Sequence, residues 1–353
     1  MLAYQNNQPL TSICIPTYNA EKTVVSTVQS ILNQTYQNLE IIIVDNASTD
    51  NTLVLLQQFK DSRIKIYRNE KNIGAEKNWN RCIELATGEY IAIFHADDLY
   101  KPDIVEKQVQ AFHDNPSIGA VFTMTNHINE HDEVIGEHKL PVELKGKEIY
   151  YFPEIFISIL KNLNFLVCPS AMVRSEIYKE LTPFDYERFG TSADLDMWLK
   201  VLEKHPIAIL DEKLMSWRRN KIQGSYLYNY LRTEQADFFK VMDFYLSKEN
   251  DDLKIPQSAL SRYELQRTVD NITRSVNFIF KSQPQDAKKL LKKSLSSRVF
   301  RATIDCIKEP KYIAYCIFGV LFLFSINLRI GLYFVKVVKV FSWLLYLWKR
   351  MFR

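Results

Sequence analysis

At 353 residues, with 47% hydrophobic and 24% charged residues, the chain has the size and composition of one large globular domain with a smaller appendage, not of a disordered or fibrous protein. Its five cysteines (Cys14, Cys82, Cys168, Cys306, Cys316) are scattered, odd in number and without metal-ligand spacing, which argues against a disulfide framework and for free thiols in a reducing compartment. The net charge of +4 hides a split: residues 254–353 hold 19 Lys/Arg against 5 Asp/Glu, whereas residues 1–253 hold 26 against 36, so the basic tail is expected to meet something anionic.

The first twelve residues contain no basic stretch followed by an apolar one, so no secretory signal is expected and the catalytic part is expected to be cytoplasmic. Ser12–Ile15 is a short apolar run stopped by Pro16 and reads as a buried strand. A helix carrying Val24, Val28, Ile31 and Leu32 on one face follows. Next comes the β-branched strand Ile41–Val44, interrupted at Asp45. Thr49 or Asp50 is expected to cap a helix running to Phe59. Ile64–Tyr67 is a further strand candidate, and Trp79, Cys82, Ile83 and Ala86 mark a helix that Gly88 is expected to end with left-handed geometry. Tyr90–Phe94 reads as another buried strand, ending in His95-Ala96-Asp97-Asp98; Pro102 suits the first turn of a helix bearing Val105, Val109 and Phe112. Beyond Ala120 come a strand at 121–124, a polar hairpin or loop at 126–148, a helix at 155–160, a compact segment at 165–173, and a helix opened by Asp194. From Leu227 to Pro310 the pattern is predominantly helical.

Strands alternating with helices predict an α/β domain with a mostly parallel central sheet, in which ligands bind beyond the carboxyl ends of the strands. Those ends here are Pro16-Thr17-Tyr18-Asn19, Asp45 and His95-Ala96-Asp97-Asp98. Neither a G-x-G-x-x-G fingerprint nor a P-loop occurs, so neither a dinucleotide dehydrogenase nor a P-loop enzyme is supported. A nucleotidyltransferase would want a Gly-rich phosphate loop after the first strand, and none is present.

In the tail, residues 312–328 form an uncharged, mostly apolar run of 17 residues, at the lower limit of the roughly 17–25 that span a bilayer. Beyond it Arg329, Lys336, Lys339 and Arg350 share a helical stripe, with Leu332, Phe334, Val335, Val338, Phe341, Leu345 and Trp348 on much of the remaining surface. A single crossing would leave those cations on the far side, against the positive-inside rule, so a re-entrant or surface-lying anchor on an anionic leaflet is expected, and no nucleic-acid partner.

Six segments in register resemble the family 2 glycosyltransferases of the GT-A (nucleotide-diphospho-sugar transferase) fold, over roughly residues 10–225. They are Ile15-Pro16-Thr17-Tyr18-Asn19, Val44-Asp45-Asn46-Ala47-Ser48-Thr49-Asp50, Asn72-Ile73-Gly74 through Lys77-Asn78, Ala86-Thr87-Gly88-Glu89-Tyr90, His95-Ala96-Asp97-Asp98 and Asp194-Leu195-Asp196-Met197-Trp198-Leu199. The resemblance implies an inverting, metal-dependent transfer of a sugar from a nucleotide-sugar donor, a UDP-sugar by expectation, to a lipid-linked or glycan acceptor in bacterial surface-polysaccharide assembly. The work would be done at the cytoplasmic face of the membrane by a peripheral or monotopic protein. The expected organisation is a catalytic domain at 1–226, a helical extension at 227–310 and membrane-associating helices at 311–353. The alternative is a non-catalytic nucleotide-sugar-binding or membrane scaffold protein on the same fold.

By the same resemblance, Pro16, Thr17, Tyr18 and Asn19 cradle the nucleoside, Asp45 accepts a hydrogen bond from the base, and Asn72 and Lys77 lie by the diphosphate. Asp97, with His95 beside it, binds Mn²⁺ or Mg²⁺, hard cations suited to carboxylate oxygen. Relatives usually have aspartate where His95 stands. If 95–97 stays extended, His95 and Asp97 face one way and Asp98 the other. Asp194 is the expected general base, its pKa kept low at a helix start; Asp196 faces away. In Trp217-Arg218-Arg219-Asn220, Asn220 stands where relatives often place a histidine, and an arginine of this stretch is expected to offset diphosphate charge.

Overall fold

A computed structural model describes residues 8–219, 231–248, 253–327, 330, 331 and 333. The chain divides into two compact units, Met1–Gln223 and Gly224–Arg353.

The first unit is built on a ten-stranded mixed sheet. Strands β1 (Thr11–Thr17), β2 (Leu39–Asp45), β3 (Ile64–Arg68) and β4 (Tyr90–Ile93) are mutually parallel in the order β3-β2-β1-β4. Every residue of β2 is buried, and its apolar stretch Ile41–Val44 is what a strand covered on both faces requires. The crossovers are helices α1 (Val24–Leu32), α2 (Thr52–Leu56) and α3 (Ala75–Leu85). Strands β5 (Leu99–Tyr100), β6 (Ala120–Ile128), β7 (Val134–His138), β8 (Ile149–Tyr150), β9 (Met172–Arg174) and β10 (Ile207–Arg218) complete the sheet. β9 runs antiparallel between β4 and β6, and β10 lies parallel to β6. Helices α4 (Ile104–Asp114), α5 (Phe152–Asn162), α6 (Ser175–Glu180), α7 (Tyr186–Phe189) and α8 (Ala193–Lys204) finish the unit.

Four local expectations change. α2 is capped at Asn51, although Asp50 still accepts the Thr52 N–H at 3.0 Å. α4 starts at Ile104, so Pro102 lies ahead of its first turn. α3 ends at Leu85 with Ala86 extended, so Gly88 is not a left-handed terminator. Gly88 is required for space: a Cβ there would sit 2.7 Å from the Leu10 carbonyl oxygen and the Ser12 nitrogen. The twelve-residue β10 was not anticipated, because Asp211-Glu212-Lys213 interrupts its apolar pattern where its register against β6 shifts.

Beside Gly88, the buried Glu40 ties β1, β2 and the entry to β4 together. It accepts from Ser12 Oγ (2.5 Å), Thr87 N (2.7 Å), Thr87 Oγ1 (2.9 Å) and Lys65 Nζ (2.8 Å). Burial alone would raise its pKa, but the bonds from Lys65, Ser12 and Thr87 prevail and hold it at about 2.

The second unit holds helices α9 (Asp237–Ser247), α10 (Gln257–Phe280), α11 (Pro284–Ser294), α12 (Ser297–Asp305) and α13 (Pro310–Asn327), the last four of which pack around two small clusters. Ile272, Ile279, Ala287, Leu291, Phe322 and Ile326 form one; Leu265, Val299, Ala302, Cys306 and Tyr312 form the other. One face of the apolar run at 312–328 thus completes a core. No helix among the described residues is long and apolar enough to cross a membrane. The basic stripe expected at Lys336, Lys339 and Arg350 lies outside the described residues.

Glu40→Gln is expected to cost about 2–3 kcal/mol at neutral pH, because a depressed carboxyl pKa stabilises the fold above its unfolded value. That contribution is lost as pH falls through the folded value of about 2, so urea unfolding should separate variant from parent at neutral pH and not in strong acid.

Candidate active site

The register brings the expected residues to one rim. Thr17 at the end of β1 pairs with Asp45 at the end of β2, and β4 lies on the other side of β1. Asp45 is fully buried; its oxygens accept the Ser48 N–H at 3.2–3.3 Å and lie 3.4 Å from Arg68 Nε. Thr17 is buried, its hydroxyl donating to the Ile15 carbonyl, and Pro16 lies within β1 opposite Val44. Tyr18 is 48% exposed, leaving its ring available to a planar base. Asn19 adopts φ +47° and joins the two loops, taking the Thr49 N–H on its side-chain oxygen at 2.9 Å while its own N–H reaches Ser48 Oγ.

Side-chain amides fix the loops after β2 and β3 against each other. Asn46 donates to Asn72 Oδ1 (3.0 Å) and accepts from Asn69 Nδ2 (2.8 Å) and Ile73 N (3.0 Å), while Asn69 also donates to Asn78 Oδ1 (2.8 Å). Asn72 also receives the Gly74 N–H, so its side-chain oxygen shapes the loop. Gly74, at φ +90°, turns the chain into α3, whose first turn carries the exposed Lys77.

β4 ends at Ile93, and a turn follows in which the Asp98 N–H meets the His95 carbonyl. Extended alternation therefore fails: Asp98 folds back beneath His95, with Oδ2 4.0 Å from His95 Nδ1. Ligand atoms of His95, Asp97 and Asp98 all lie within 4.8 Å of one another. Thr23 Oγ1 and Thr27 Oγ1 at the start of α1 donate to the Ala96 and Asp98 carbonyls, and Tyr100 Oη accepts the His95 N–H. From β10, Arg218 donates its N–H to Asp98 Oδ1 (2.8 Å), its Nε–H to the Asp97 carbonyl (2.8 Å) and an Nη1–H to the Asn129 carbonyl (2.9 Å). Arg218 is thus a buried brace for this turn. Arg219 lies over the Trp217 ring, and Asn220 is outside the described residues.

The cluster fits a divalent cation. Asp98 Oδ2 and His95 Nε2 are buried and without a hydrogen-bond partner. Burial, then repulsion from Asp97, pushes the Asp98 carboxyl well above the usual range, while burial lowers His95 and so favours the neutral imidazole that ligates metals. Two carboxylates and an imidazole make a mostly hard donor set.

Asp194 lies in the first turn of α8, where Oδ1 accepts the Leu195 N–H at 2.8 Å. The helix start does not hold its pKa low: burial outweighs the backbone bonds and raises it to about 6. The Cys168 thiol is pushed up first by burial and then by the charges of Asp194 and Asp98. An aromatic series links them: His95 to Trp79 (5.4 Å between centroids), Trp79 to Phe184 (5.5 Å), and Phe184 to Trp198 (6.1 Å), one helical turn from Asp194. Asp196 is buried and bridged to Lys200 at 2.6 Å. Trp79, Cys168 and Arg68 were not singled out as site residues from sequence. Trp79 fits helix-core spacing equally well, and nothing in spacing brings Cys168 or Arg68 to the rim.

The model of glycosyl transferase family 2 matches residues 12–182. An uncharacterized glycosyltransferase of Methanocaldococcus jannaschii is 33% identical over 243 residues, 64% of this chain and 80% of the relative. A UDP-Glc:α-D-GlcNAc-diphosphoundecaprenol β-1,3-glucosyltransferase of Escherichia coli is 29% identical over 202 residues, 57% of this chain and 73% of the relative. Among solved structures, TarS of S. aureus in complex with UDP-GlcNAc is similar with a TM-score of 0.61 at 18% identity, covering 90% of this chain and 92% of that one, a likeness of fold. With an α/β sheet of GT-A type and these relatives, the chain belongs to glycosyl transferase family 2.

Proposed function

We propose that this glycosyltransferase moves a sugar from a UDP-sugar to a membrane-linked glycan acceptor in surface-polysaccharide assembly, with inversion at the anomeric carbon. The observation that carries the reading is the cluster of His95, Asp97 and Asp98 at the end of β4, beside the strand ends that hold Thr17 and Asp45. The UDP-sugar follows from the name of the E. coli relative and from the nucleotide bound to TarS, and the lipid-linked acceptor from that relative's name. Residues 1–226 would form the catalytic domain, 227–310 a helical extension and 311–353 a membrane-associating segment. The basic excess of the last hundred residues supports work at an anionic membrane, on its cytoplasmic face.

In this mechanism Tyr18 packs on the base, Asp45 accepts its N–H, and Asn19 and Thr17 shape the nucleoside pocket. Lys77 lies toward the diphosphate, and Asp97, with His95 and Asp98, would hold Mn²⁺ or Mg²⁺. When bound, that cation supplies Lewis-acid stabilisation of the charge gained by the departing diphosphate. Asp194 takes the proton of the acceptor hydroxyl as that oxygen bonds to the anomeric carbon and the bond to the diphosphate oxygen breaks on the opposite face. The carboxylate is suited to this task, since a value raised to about 6 makes it a stronger base than an exposed aspartate while leaving it ionised at neutral pH.

Four outcomes test the reading. Screening the protein against nucleotide sugars with Mn²⁺ or Mg²⁺ should give metal-dependent release of UDP; a scaffold would bind donor and release none. Asp97→Ala should lower metal-stimulated release by about 100-fold or more, and unchanged release would remove Asp97 from the site. Asp194→Asn should bind donor as the parent does yet lose about 100-fold in transfer. Because the base must be deprotonated, parent kcat should fall about tenfold per pH unit below about 6 and level off above it. A pH-independent rate across that region would contradict the assignment.

A further inference from the structure

The helical unit turns part of its apolar surface outward. Val299 and Ala302 of α12 pack inward, while Phe300 is 71% exposed and Ile304, one turn on, is 53% exposed. In α13, Tyr312, Phe322 and Ile326 face the core. Ile317, Val320, Leu321 and Phe324, at helical positions i, i+3, i+4 and i+7, are each more than half exposed. Between the two helices lies a groove of about 440 Å³ lined by Val299, Thr303, Ile313 and Cys316. An exposed apolar face of this extent marks an interaction surface.

Its surroundings are cationic. Arg298, Arg301, Lys308 and Lys311 are all exposed along the same stretch of chain. Asp305 accepts from Ser261 Oγ at 2.5 Å; Glu309 pairs with Arg262 at 2.5 Å and lies 3.5 Å from Lys311, and Glu264 lies 3.8 Å from Arg298, whose side chain is still 82% exposed. A second copy of this face would bring the same cations against themselves. An anionic bilayer supplies opposite charge at headgroup depth and hydrocarbon just beneath it, the arrangement to which interfacial helices are matched.

We propose that the α12–α13 face docks on an anionic lipid leaflet, with Phe300, Ile304, Leu321 and Phe324 entering the acyl boundary and the four cations on the headgroups. This deepens the membrane reading given above. It moves the docking surface upstream of 311–353 to include α12, and it does not rest on the catalytic assignment. α13 lies along the interface with its other side on the protein core, consistent with a helix that is not long and apolar enough to cross.

The test is co-sedimentation of the full chain with vesicles of phosphatidylcholine alone or mixed with phosphatidylglycerol. The parent should bind the anionic vesicles. Phe300→Ser with Phe324→Ser should weaken binding by at least about tenfold. Arg298→Gln with Arg301→Gln should weaken it about 25-fold, from about fivefold per cation. Release of UDP from donor in solution should stay at the parent level in both. All of these side chains are exposed, and if the phenylalanine variant fails to fold, the arginine variant still decides. Failure of the parent to bind, equal binding by both variants, or a parent dimer that the phenylalanine variant dissociates without any vesicle binding would each overturn the proposal. A parent that binds vesicles but never releases UDP would instead overturn the catalytic reading and leave this one standing.

Discussion

Two carboxylates and an imidazole crowd the end of β4, and the protein alone leaves part of their bonding capacity unused. Asp98 is fully buried with one oxygen unpartnered, and His95 has a ring nitrogen in the same condition. Such groups cost free energy unless something positive answers them. Their upkeep is visible in the fold: hydroxyls from α1 hold the carbonyls of Ala96 and Asp98, Tyr100 takes the His95 N–H, and Arg218 reaches from β10 to the Asp97 and Asp98 positions. A strand end held from three directions is organised to receive a ligand, and a divalent cation matches its charge and donor atoms.

The sheet order makes that site useful. Because β1 lies between β2 and β4, the residues at their carboxyl ends share one rim, and the loops after β2 and β3 are locked to the start of α3 by side-chain amides. Under the proposed function, a nucleotide gripped at Asp45 and Tyr18 would extend its diphosphate along this rim toward His95, Asp97 and Asp98. The aromatic series from His95 to Trp198 then sets the distance between that cluster and the helix bearing Asp194. The raised pKa of Asp194 and the high pKa of the Cys168 thiol have the same main cause, burial away from water, which gives a carboxylate added basicity.

Much of this was legible in the sequence because the parallel strands are continuous apolar runs that end abruptly in polar residues: Ile41–Val44 into Asp45, and Tyr90–Phe94 into His95. What could not be read depended on backbone that leaves regular structure. Alternation separated His95 from Asp98, but a turn begins after Ile93 and reunites them. A helix start suggested a low pKa for Asp194, but tertiary burial outweighs two backbone bonds. Gly88 looked like a helix terminator and is a spacer against β1. β10 escaped notice because a charged interruption hides a strand whose last residues brace His95, Asp97 and Asp98, so the role of Arg218 could be learned only from its long-range partners.

In the proposed function, His95, Asp97 and Asp98 form the seat of a divalent cation beside a bound nucleotide diphosphate. The most direct measurement is anomalous diffraction at the manganese edge from crystals grown with UDP and Mn²⁺. One strong peak at the Asp97 carboxylate and the diphosphate is expected, with the uracil near Asp45. A nucleotide in that cleft with no peak at Asp97, or manganese bound only elsewhere, would contradict it.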